Sequence, residues 1–373
     1  MAAHRRRKPG RCQTAPGAGS GEPDGPSRYS ARMKLWKRSL LLLLAALVFF
    51  AVAGIVATWA PDRPVAELMP RWGAPPSRWV PVEGMSVHVR DEGPGAGAPQ
   101  GAGNDPPPPA NADPAAALPI VLLHGTSDSL HTWDGWAQAL KSERRVIRFD
   151  LPGFGLTGPH PQGDYSIDAY VRFVAATLDA LSVPRFVLAG NSLGGQIAWA
   201  TAHAYPQRVA RLVLVDASGY PLNPDEVPIG FRIARVPLMR PLAEHTLPRG
   251  LVEQSVKSVY GDPSRVTPAL VDRYYELSLR EGNRRALGQR LDAGYAGNEA
   301  HIRALKLPTL ILWGGRDRLI PLASGQRFAR DIAGARLVVF DELGHVPHQE
   351  DPPRTLAEVR RFLAAPEADF QAK

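Results

Sequence analysis

The sequence predicts an α/β protein with a mostly parallel, doubly wound sheet and a helical cap, preceded by a transmembrane helix near the N-terminus. Three observations favour this architecture. Short apolar runs of the buried-strand type alternate with stretches long enough for crossover helices. One run stops at a Gly-x-Ser-x-Gly pattern, residues 190–194, which opens a helix-compatible segment. Residues 219–307 contain no such run and are too long for an ordinary crossover, so we predict a cap or lid there.

Charge is distributed unevenly along the 373 residues. Residues 1–39 hold ten Lys and Arg against two acidic residues, which accounts for the whole net charge of +8. The rest of the chain carries 34 residues of each sign, so we expect no nucleic-acid partner. The single cysteine, Cys12, lies in this basic tail and excludes an intramolecular disulfide or a cysteine-based metal site.

The N-terminal region predicts a single-pass membrane anchor. Residues 1–39 are rich in Gly, Pro, Ser and Arg and lack apolar periodicity, which is typical of a disordered tail. Residues 40–60 are uncharged and long enough to span a hydrocarbon core of about 30 Å as a helix. Basic residues directly before them predict a cytoplasmic tail and a periplasmic or otherwise extracytoplasmic domain. The alternative is a cleaved signal peptide, because residues 51–53 have the small-x-small form of a cleavage site.

A globular domain is predicted over residues 79–373, after a Pro- and Arg-containing linker at 61–78. Alternating apolar residues on either side of Glu83 and Gly84 predict an antiparallel hairpin. Residues 93–117 are mostly Gly, Ala, Pro, Asn and Asp, and they predict a flexible loop. The later buried-type strands are predicted at 118–123, 145–149, 186–191, 212–215, 310–313 and 337–340, with a helix at 166–181.

Three side chains with the chemistry of nucleophilic catalysis follow predicted strands. A serine hydroxyl becomes a useful nucleophile on a tight strand-to-helix turn, near a base and near N–H groups that can receive an oxyanion. Ser192 is predicted to occupy such a turn, because Gly190 and Gly194 leave the room that it requires. Asp317 and His345 come after later strands, in the order Ser, Asp, His that accompanies this kind of turn.

Five ordered motifs make the chain resemble the α/β-hydrolase superfamily and, within it, membrane-tethered bacterial serine esterases and lipases. They are His-Gly-Thr-Ser at 124–127, Asp-Leu-Pro-Gly-Phe-Gly at 150–155, Gly-Asn-Ser-Leu-Gly-Gly at 190–195, Gly-Arg-Asp at 315–317 and Gly-His at 344–345. The resemblance implies the α/β-hydrolase fold. It also implies that Ser192 is the nucleophile, that His345 is the base, and that Asp317 is the acid that orients the imidazole.

The resemblance further implies an oxyanion hole made by the backbone N–H groups of Leu193 and Thr126. Two alternatives for the triad stay open. Asp216, which follows another predicted strand, is in a position where some members of the superfamily carry the acid. His348 is the alternative to His345 as the base, although the Gly-His motif favours His345.

Serine as the nucleophile argues against relatives that form an alkyl-enzyme ester on an aspartate. Hydrolysis of a carboxylic ester through an acyl-enzyme is therefore the expected reaction. Carbon–carbon bond hydrolases of ring-cleavage products share the Gly-Asn-Ser-x-Gly pattern, so Asn191 keeps that class as the alternative. A non-enzymatic binding protein of this fold is the alternative from a different class. Asn191 is also a candidate substrate-binding residue.

The predicted cap completes the expected site. Its apolar residues between 231 and 242 have the content to line a tunnel for a hydrophobic acyl group, with Phe231 and Met239 as candidate substrate-binding residues. The sequence shows no phosphate loop, metal cluster or dinucleotide fingerprint, so neither a cofactor nor a metal is expected. The expected partners are a small-molecule ester and the membrane.

Overall fold

The computed structural model describes residues 28–97, 118–221, 236, 240–294 and 297–370, with the backbone alone at 28–31, 34, 367 and 368. The chain divides into an N-terminal unit, residues 1–57, and a second unit, residues 58–373. The N-terminal unit contains helix α1, Arg28–Ala57, and its part Leu35–Ala57 is long and apolar enough to cross a membrane. This length and composition fit both a membrane anchor and a signal sequence. The helix begins before residue 40 and ends before residue 60, three residues short of the predicted end.

Eight strands form one sheet in the described part of the second unit, in the order β1-β2-β4-β3-β5-β6-β7-β8. The strands are β1 Ser77–Val82, β2 Met85–Glu92, β3 Ile120–Leu123, β4 Val146–Phe149, β5 Phe186–Asn191, β6 Val209–Val215, β7 Thr309–Gly314 and β8 Arg336–Phe340. Strand β2 runs antiparallel to β1 and β4, and every other pairing is parallel. The predicted hairpin and the mostly parallel sheet are therefore confirmed.

The described helices of the second unit are α2 Val65–Trp72, α3 Asp134–Leu140, α4 Ile167–Ala180, α5 Leu193–Ala204, α6 Arg240–His245, α7 Arg249–Val259, α8 Pro268–Ser278, α9 Asn283–Asp292, α10 Glu299–Arg303, α11 Leu322–Asp331, α12 Pro347–Glu350 and α13 Pro352–Ala364. Helix α4 begins where the sequence predicts, because the Ser166 hydroxyl accepts the N–H of Ala169 at 3.2 Å. The described part of residues 219–307 contains helices α6 to α10 and no strand.

The sheet is covered on both faces, as a doubly wound sheet requires. Successive residues of the central strands alternate between two apolar clusters, so that Val121 packs with α4 and α5 while Ile120 packs with α3 and α13. Strands β3 to β7 are buried along their whole length. Burying one large apolar side chain stabilises the fold by about 1.5–3 kcal/mol, so this double layer fixes the strand ends that carry the site.

The predicted linker at 61–78 is a folded part of the second unit. It contains α2, whose Leu68 is buried against Leu156 and Leu277. The preceding residues pair with α6 and with the end of α8: the N–H of Ala60 donates to His245 O at 2.9 Å, and the N–H of Arg63 donates to Leu279 O at 2.6 Å. The spacer interpretation of this segment is therefore wrong. The sequence does not reveal these two hydrogen bonds, because their acceptors lie about 200 residues later in the chain and leave no local pattern.

Candidate active site

The turn between β5 and α5 holds Ser192 in a strained conformation, with φ 54° and ψ −118°. A conformation of this kind costs a non-glycine residue about 1–3 kcal/mol and is typical of functional sites. The two glycines that the sequence analysis singled out make it possible. A Cβ on Gly190 would lie 2.2 Å from the carbonyl oxygen of Gly194, and a Cβ on Gly194 would lie 2.3 Å from that of Leu123.

The loop after β3 lies against this turn, because β3 and β5 pair in parallel and their carboxyl ends meet at one edge of the sheet. A Cβ on Gly125 would lie 3.1 Å from the Cβ of Ser192. In the described part of the chain, the N–H groups of Thr126 and Leu193 donate to no backbone carbonyl. Leu193 also opens helix α5, whose N-terminus favours negative charge. The predicted oxyanion donors thus lie on the two segments that meet at Ser192, without a backbone acceptor from another described element.

The imidazole of His345 and the carboxylate of Asp317 form a hydrogen bond, with 2.7 Å between Nδ1 and Oδ2. The other carboxylate oxygen, Oδ1, accepts the N–H groups of Leu319 at 2.7 Å and Ile320 at 2.9 Å. The Asp317 side chain is fully buried. A carboxylate at Nδ1 keeps the proton on that nitrogen, so Nε2 has the free lone pair that a general base needs.

Asn191 connects the nucleophile turn to the histidine loop. Its Nδ2 donates to the carbonyl oxygens of Val215 at 3.1 Å and His345 at 3.0 Å. The residue is 1% exposed, and both amide hydrogens are used inside the protein. This geometry supports a positioning role for Asn191 rather than the tentative substrate contact. The hydrogen bonds hold the loop of His345 next to Ser192.

Asp216, the alternative acid, lies at the end of β6 and is fully buried. Its Oδ1 accepts the N–H of Gly314 at 2.9 Å. One oxygen of Asp216, one oxygen of Asp317 and one ring nitrogen of His345 all lie within 4.8 Å of one another. Burial, together with the neighbouring Asp317 carboxylate, raises the pKa of Asp216 well above its usual value. The direct hydrogen bond to the imidazole belongs to Asp317, as the sequence analysis expected.

The alternative base, His348, is part of the packed interior. It is fully buried, its ring lies 4.0 Å from that of Trp133, and its Nε2 lies 3.0 Å from the Thr132 hydroxyl. Burial holds the pKa of His348 well below its usual value, because a charged imidazole cannot be hydrated there. His124 is equally structural, since its Nε2 accepts the N–H of Leu151 at 2.9 Å.

A buried polar cluster joins the loop after β3 to helix α8 of the predicted cap. Arg273 Nη2 donates to Asp128 Oδ1 at 3.2 Å and to Gln349 Oε1 at 2.5 Å, and the Tyr274 hydroxyl donates to Asp128 Oδ2 at 2.7 Å. Burial alone would lower the pKa of Arg273, but the Asp128 carboxylate together with Tyr274, Tyr260 and Asp134 outweighs it and raises that pKa. Sequence reasoning missed this cluster, because its charged partners are 145 residues apart and belong to no motif.

A small cavity of about 30 Å³ lies beside this cluster, between the loops after β3 and β4 and helices α8 and α9. Its walls include Ser127 Oγ, Asn283 Oδ1 and Arg284 Nε, which are buried without a partner in the described residues. The volume is that of one or two water molecules, so we do not identify it with the substrate pocket. Phe231 and Met239, the predicted cap contacts of the substrate, lie outside the described residues.

Comparison with known proteins gives one family. The sequence model of the family described as the α/β hydrolase fold matches residues 119–352. A 2-hydroxymuconate semialdehyde hydrolase of Pseudomonas sp. (strain CF600) is 33% identical over 273 residues, which cover 70% of this chain and 91% of that protein. A 2-hydroxy-6-oxo-2,4-heptadienoate hydrolase of Pseudomonas putida is 34% identical over 266 residues, which cover 68% of this chain and 91% of that protein.

Solved structures agree on the fold. A meta-cleavage product hydrolase from Pseudomonas fluorescens IP01 superimposes with a TM-score of 0.62 and 27% identity, covering 76% of this chain and 96% of that one. A membrane phospholipase A, described as a bacterial virulence factor, gives a TM-score of 0.62 and 25% identity, covering 92% of this chain and all of that one. The second structure supports the predicted membrane-tethered resemblance in part.

The prediction of an ester hydrolase for hydrophobic acyl substrates is wrong. The relatives that overturn it carry the names of hydrolases of ring-cleavage products, which was the alternative and not the main interpretation. The motifs could not make this choice, because both classes use the same turn around the serine. The coarser prediction, a hydrolase with this fold, is confirmed. With more than half of its length matched by the family model, the chain belongs to the α/β-hydrolase fold family.

Proposed function

We propose that this protein hydrolyses a carbon–carbon bond in ring-cleavage products of the 2-hydroxy-6-oxo-dienoate class. The observation that carries the proposal is the Ser192 turn next to the His345–Asp317 pair, in a chain whose relatives are named for such substrates. Members of this class with a ketone at carbon 6 also contain a conjugated dienol and a carboxylate, and the semialdehyde has an aldehyde in place of the ketone. The carbon of this carbonyl group is the electrophile that a serine nucleophile requires.

In the proposed reaction the substrate first takes up a proton on the dienol carbon next to the ketone, and the dienol hydroxyl gives up its proton. Ser192 Oγ then bonds to the ketone carbon while His345 Nε2 takes the hydroxyl proton. The carbon–carbon bond breaks, its electron pair leaves on the conjugated 2-hydroxydienoate, and that fragment receives the proton from His345. Water, deprotonated by the same imidazole, hydrolyses the acyl-serine and releases the second carboxylic acid.

The charge that develops on the ketone oxygen would be received by the N–H groups of Thr126 and Leu193. The substrate carboxylate requires a cation, and we assign that role to Arg273. This arginine reaches from α8 to the loop that contains Thr126, and Asp128 is the strongest of the neighbouring groups that raise its pKa against the effect of burial. Its Nε is buried without a partner among the described residues, so a donor is left for a ligand.

The proposed activity is tested with the full chain in detergent and two kinds of substrate. One is a ring-cleavage dienoate, followed by the loss of its visible absorbance, and the other is a series of p-nitrophenyl esters of increasing chain length. We expect kcat/KM for the dienoate to exceed that of every ester, because only the dienoate carries the carboxylate that Arg273 would bind. Turnover of the esters with no turnover of the dienoate would contradict the proposal.

We further propose that α1 anchors the protein in the inner membrane with residues 58–373 on the extracytoplasmic side. The support is the uncharged part of the Leu35–Ala57 segment, residues 40–57, which directly follows the basic residues Arg32, Lys34, Lys37 and Arg38. A membrane-impermeant thiol reagent should miss Cys12 in spheroplasts and should label a Glu83→Cys variant made in a Cys12→Ser background. The opposite labelling pattern would reverse the orientation, and a mature chain that starts at Gly54 would show that the helix is a cleaved signal.

A further inference from the structure

Two carboxylates stand at neighbouring strand ends beside one imidazole. Asp216 directly follows β6, Asp317 follows β7, and these strands pair in parallel. Asp216 and the Asp317 side chain are both fully buried, and a carboxylate oxygen of each lies within 4.8 Å of a ring nitrogen of His345. A triad needs only one acid, so the second carboxylate calls for a physical explanation.

The hydrogen bonds of the two side chains differ. Asp317 is fully supplied with donors, since Oδ1 accepts two backbone N–H groups and Oδ2 accepts from the imidazole. Asp216 Oδ1 accepts one N–H, from Gly314, while Oδ2 is buried with no donor among the described residues. An ionised oxygen without a donor is costly inside a protein, whereas a protonated oxygen would itself be a donor.

The backbone of Asp216 has a conformation that is unfavourable for a non-glycine residue. Its φ is 43°, in the left-handed region that non-glycine residues rarely adopt. The strain is maintained by the N–H of Asp216, which donates to Leu312 O at 3.0 Å, and by the bond from Gly314. Strain of this kind persists where the surroundings fix a functional side chain.

We propose that Asp216 carries a proton on Oδ2, donates it to the Asp317 carboxylate, and thereby positions the acid of the triad. We further infer that Asp216 becomes the acid partner of His345 when Asp317 loses its charge. The inference rests on the triad of the proposed function and not on its carbon–carbon substrate. Asp216 is thus a positioning residue in the native protein and a reserve acid in a variant.

The groups that face Asp216 determine the sign of its pH dependence. They are the Asp317 carboxylate, the His345 imidazole, the Glu350 carboxylate and the Gly314 N–H. Burial and the two carboxylates all raise the pKa of Asp216, and Asp317 contributes more than Glu350. Replacing Asp317 by asparagine removes the carboxylate that has the stronger effect on the pKa of Asp216. Asp216 then ionises more readily, and the variant should gain activity as the pH rises through its new pKa.

The test measures the rate at which a fluorophosphonate probe labels Ser192, which reports the nucleophile without the proposed substrate. We compare Asp317→Asn, Asp216→Asn and the double variant over a range of pH. The rate of a catalytic triad falls about 10⁴-fold when an amide replaces its only acid. We expect a loss of about 10²-fold in Asp317→Asn, recovering as the pH rises, and about 10⁴-fold with no recovery in the double variant.

Two measurements keep the proposal testable if Asp317→Asn does not fold. Infrared spectra should contain the carbonyl stretch of a buried protonated carboxyl group that disappears in Asp216→Asn. Asp216→Asn, which retains a donor, should label faster than Asp216→Leu, which has none. Equal losses in Asp317→Asn and the double variant, or an infrared spectrum without that band, would overturn the proposal. Wild-type protein that labels but leaves the dienoate intact contradicts only the proposed substrate.

Discussion

The sheet side and the cap side of the candidate site are held by different interactions. The sheet side consists of Ser192, Asp317 and His345 on the ends of a buried sheet. The cap side consists of helices α6 to α10, of which α6 buries no residue and α7 buries only Val256. Ion pairs with a partly exposed partner, such as Asp62 with Arg284 and Arg71 with Glu276, connect the cap helices to the chain before β1.

This difference separates the reaction from the choice of substrate. A buried apolar side chain contributes about 1.5–3 kcal/mol, whereas an exposed ion pair contributes about 0.2–1 kcal/mol. The atoms that perform nucleophilic attack are therefore fixed by the stronger set of interactions. Among the cap helices, α6 and α7 bury least and depend most on the weaker set, which suits a part of the fold that must admit a ligand.

The largest expected effect lies on the sheet side. Ser192→Ala should lower kcat for the dienoate on the order of 10⁶-fold, because the acyl-enzyme cannot form and the remaining residues act only as a unit with the serine. Stopped-flow absorbance measures the loss, and an unchanged thermal unfolding midpoint serves as the control for folding. Turnover within tenfold of the wild type would mean that Ser192 is not the nucleophile and would remove the basis of the comparison.

The next effect tests whether the cap side selects the substrate. Arg273→Gln should lower kcat/KM for the dienoate by about 10- to 100-fold, the equivalent of one charge-assisted hydrogen bond of 1.5–3 kcal/mol. Fluorophosphonate labelling should change much less, because the probe has no carboxylate. The matched control is the double variant Arg273→Gln with Asp128→Asn, which avoids an unpaired buried charge. Equal losses in both reactions would show that Arg273 only supports the fold.

The sheet side could be predicted from the sequence because each of its parts is local. Ser192 lies in a five-residue pattern, and Asp317 and His345 each lie in a short motif after an apolar run. The positions of the strands follow from apolar runs in the same way. What the pattern could not show is the pairing of Asp216 with Asp317, since two strand ends become neighbours only when β6 and β7 pair.

The cap side could not be predicted, because its contacts join distant parts of the chain. The buried pair of Asp128 with Arg273 spans 145 residues, and the segment before β1 finds its partners in α6, α8 and α9. No periodicity records such pairs, so residues 61–78 resemble a spacer in the sequence. The sequence predicts a substrate contact for Asn191, whereas its amide donates to two backbone carbonyls from distant parts of the chain.

A third prediction separates the two sides by pH. Burial lowers the pKa values of His124, His131 and His348 in the folded protein. The unfolded chain therefore binds protons that the folded chain refuses, and the free energy of unfolding should fall as the pH drops below about 6.5. Each histidine contributes up to about 1.4 kcal/mol per pH unit. The lowered pKa of Asp150 acts in the same direction over a lower range of pH, because the stability that it adds is lost only as the pH falls below about 4.

Urea titrations at pH 7.5, 6.5 and 5.5 measure this effect. A His348→Gln variant should be less stable at neutral pH but should show a shallower loss between pH 6.5 and 5.5, since one titrating group is gone. A free energy of unfolding that stays constant from pH 7.5 to 5.5 would contradict the assignment of these three histidines as buried neutral groups.

The smallest effect concerns the connection between the cap side and the segment after α1. Asp62 Oδ1 accepts from Arg284 Nη2 at 2.6 Å, and its Oδ2 accepts the N–H of Gly282 at 2.9 Å. The Asp62 side chain is 38% exposed, so Asp62→Ala should lower the free energy of unfolding by no more than about 1 kcal/mol. Its local effect should be larger than its global one, because the two bonds hold the first turn of α9, where the Asn283 amide, which donates to Gly155 O and Leu277 O, gives the remaining side-chain support.

Hydrogen exchange should therefore accelerate at the amides of α9 in Asp62→Ala and stay unchanged in β5 and β6. The matched control is Asp179→Ala. Asp179 lies on α4, away from the cap, and the substitution removes its ion pair with Arg208. In 1 M salt, where charges are screened within about 3 Å, the difference between wild type and Asp62→Ala should shrink. Equal acceleration in β5 would mean that cap and sheet open as one cooperative unit. The cap could then not open to admit a substrate while the sheet keeps the catalytic residues in place.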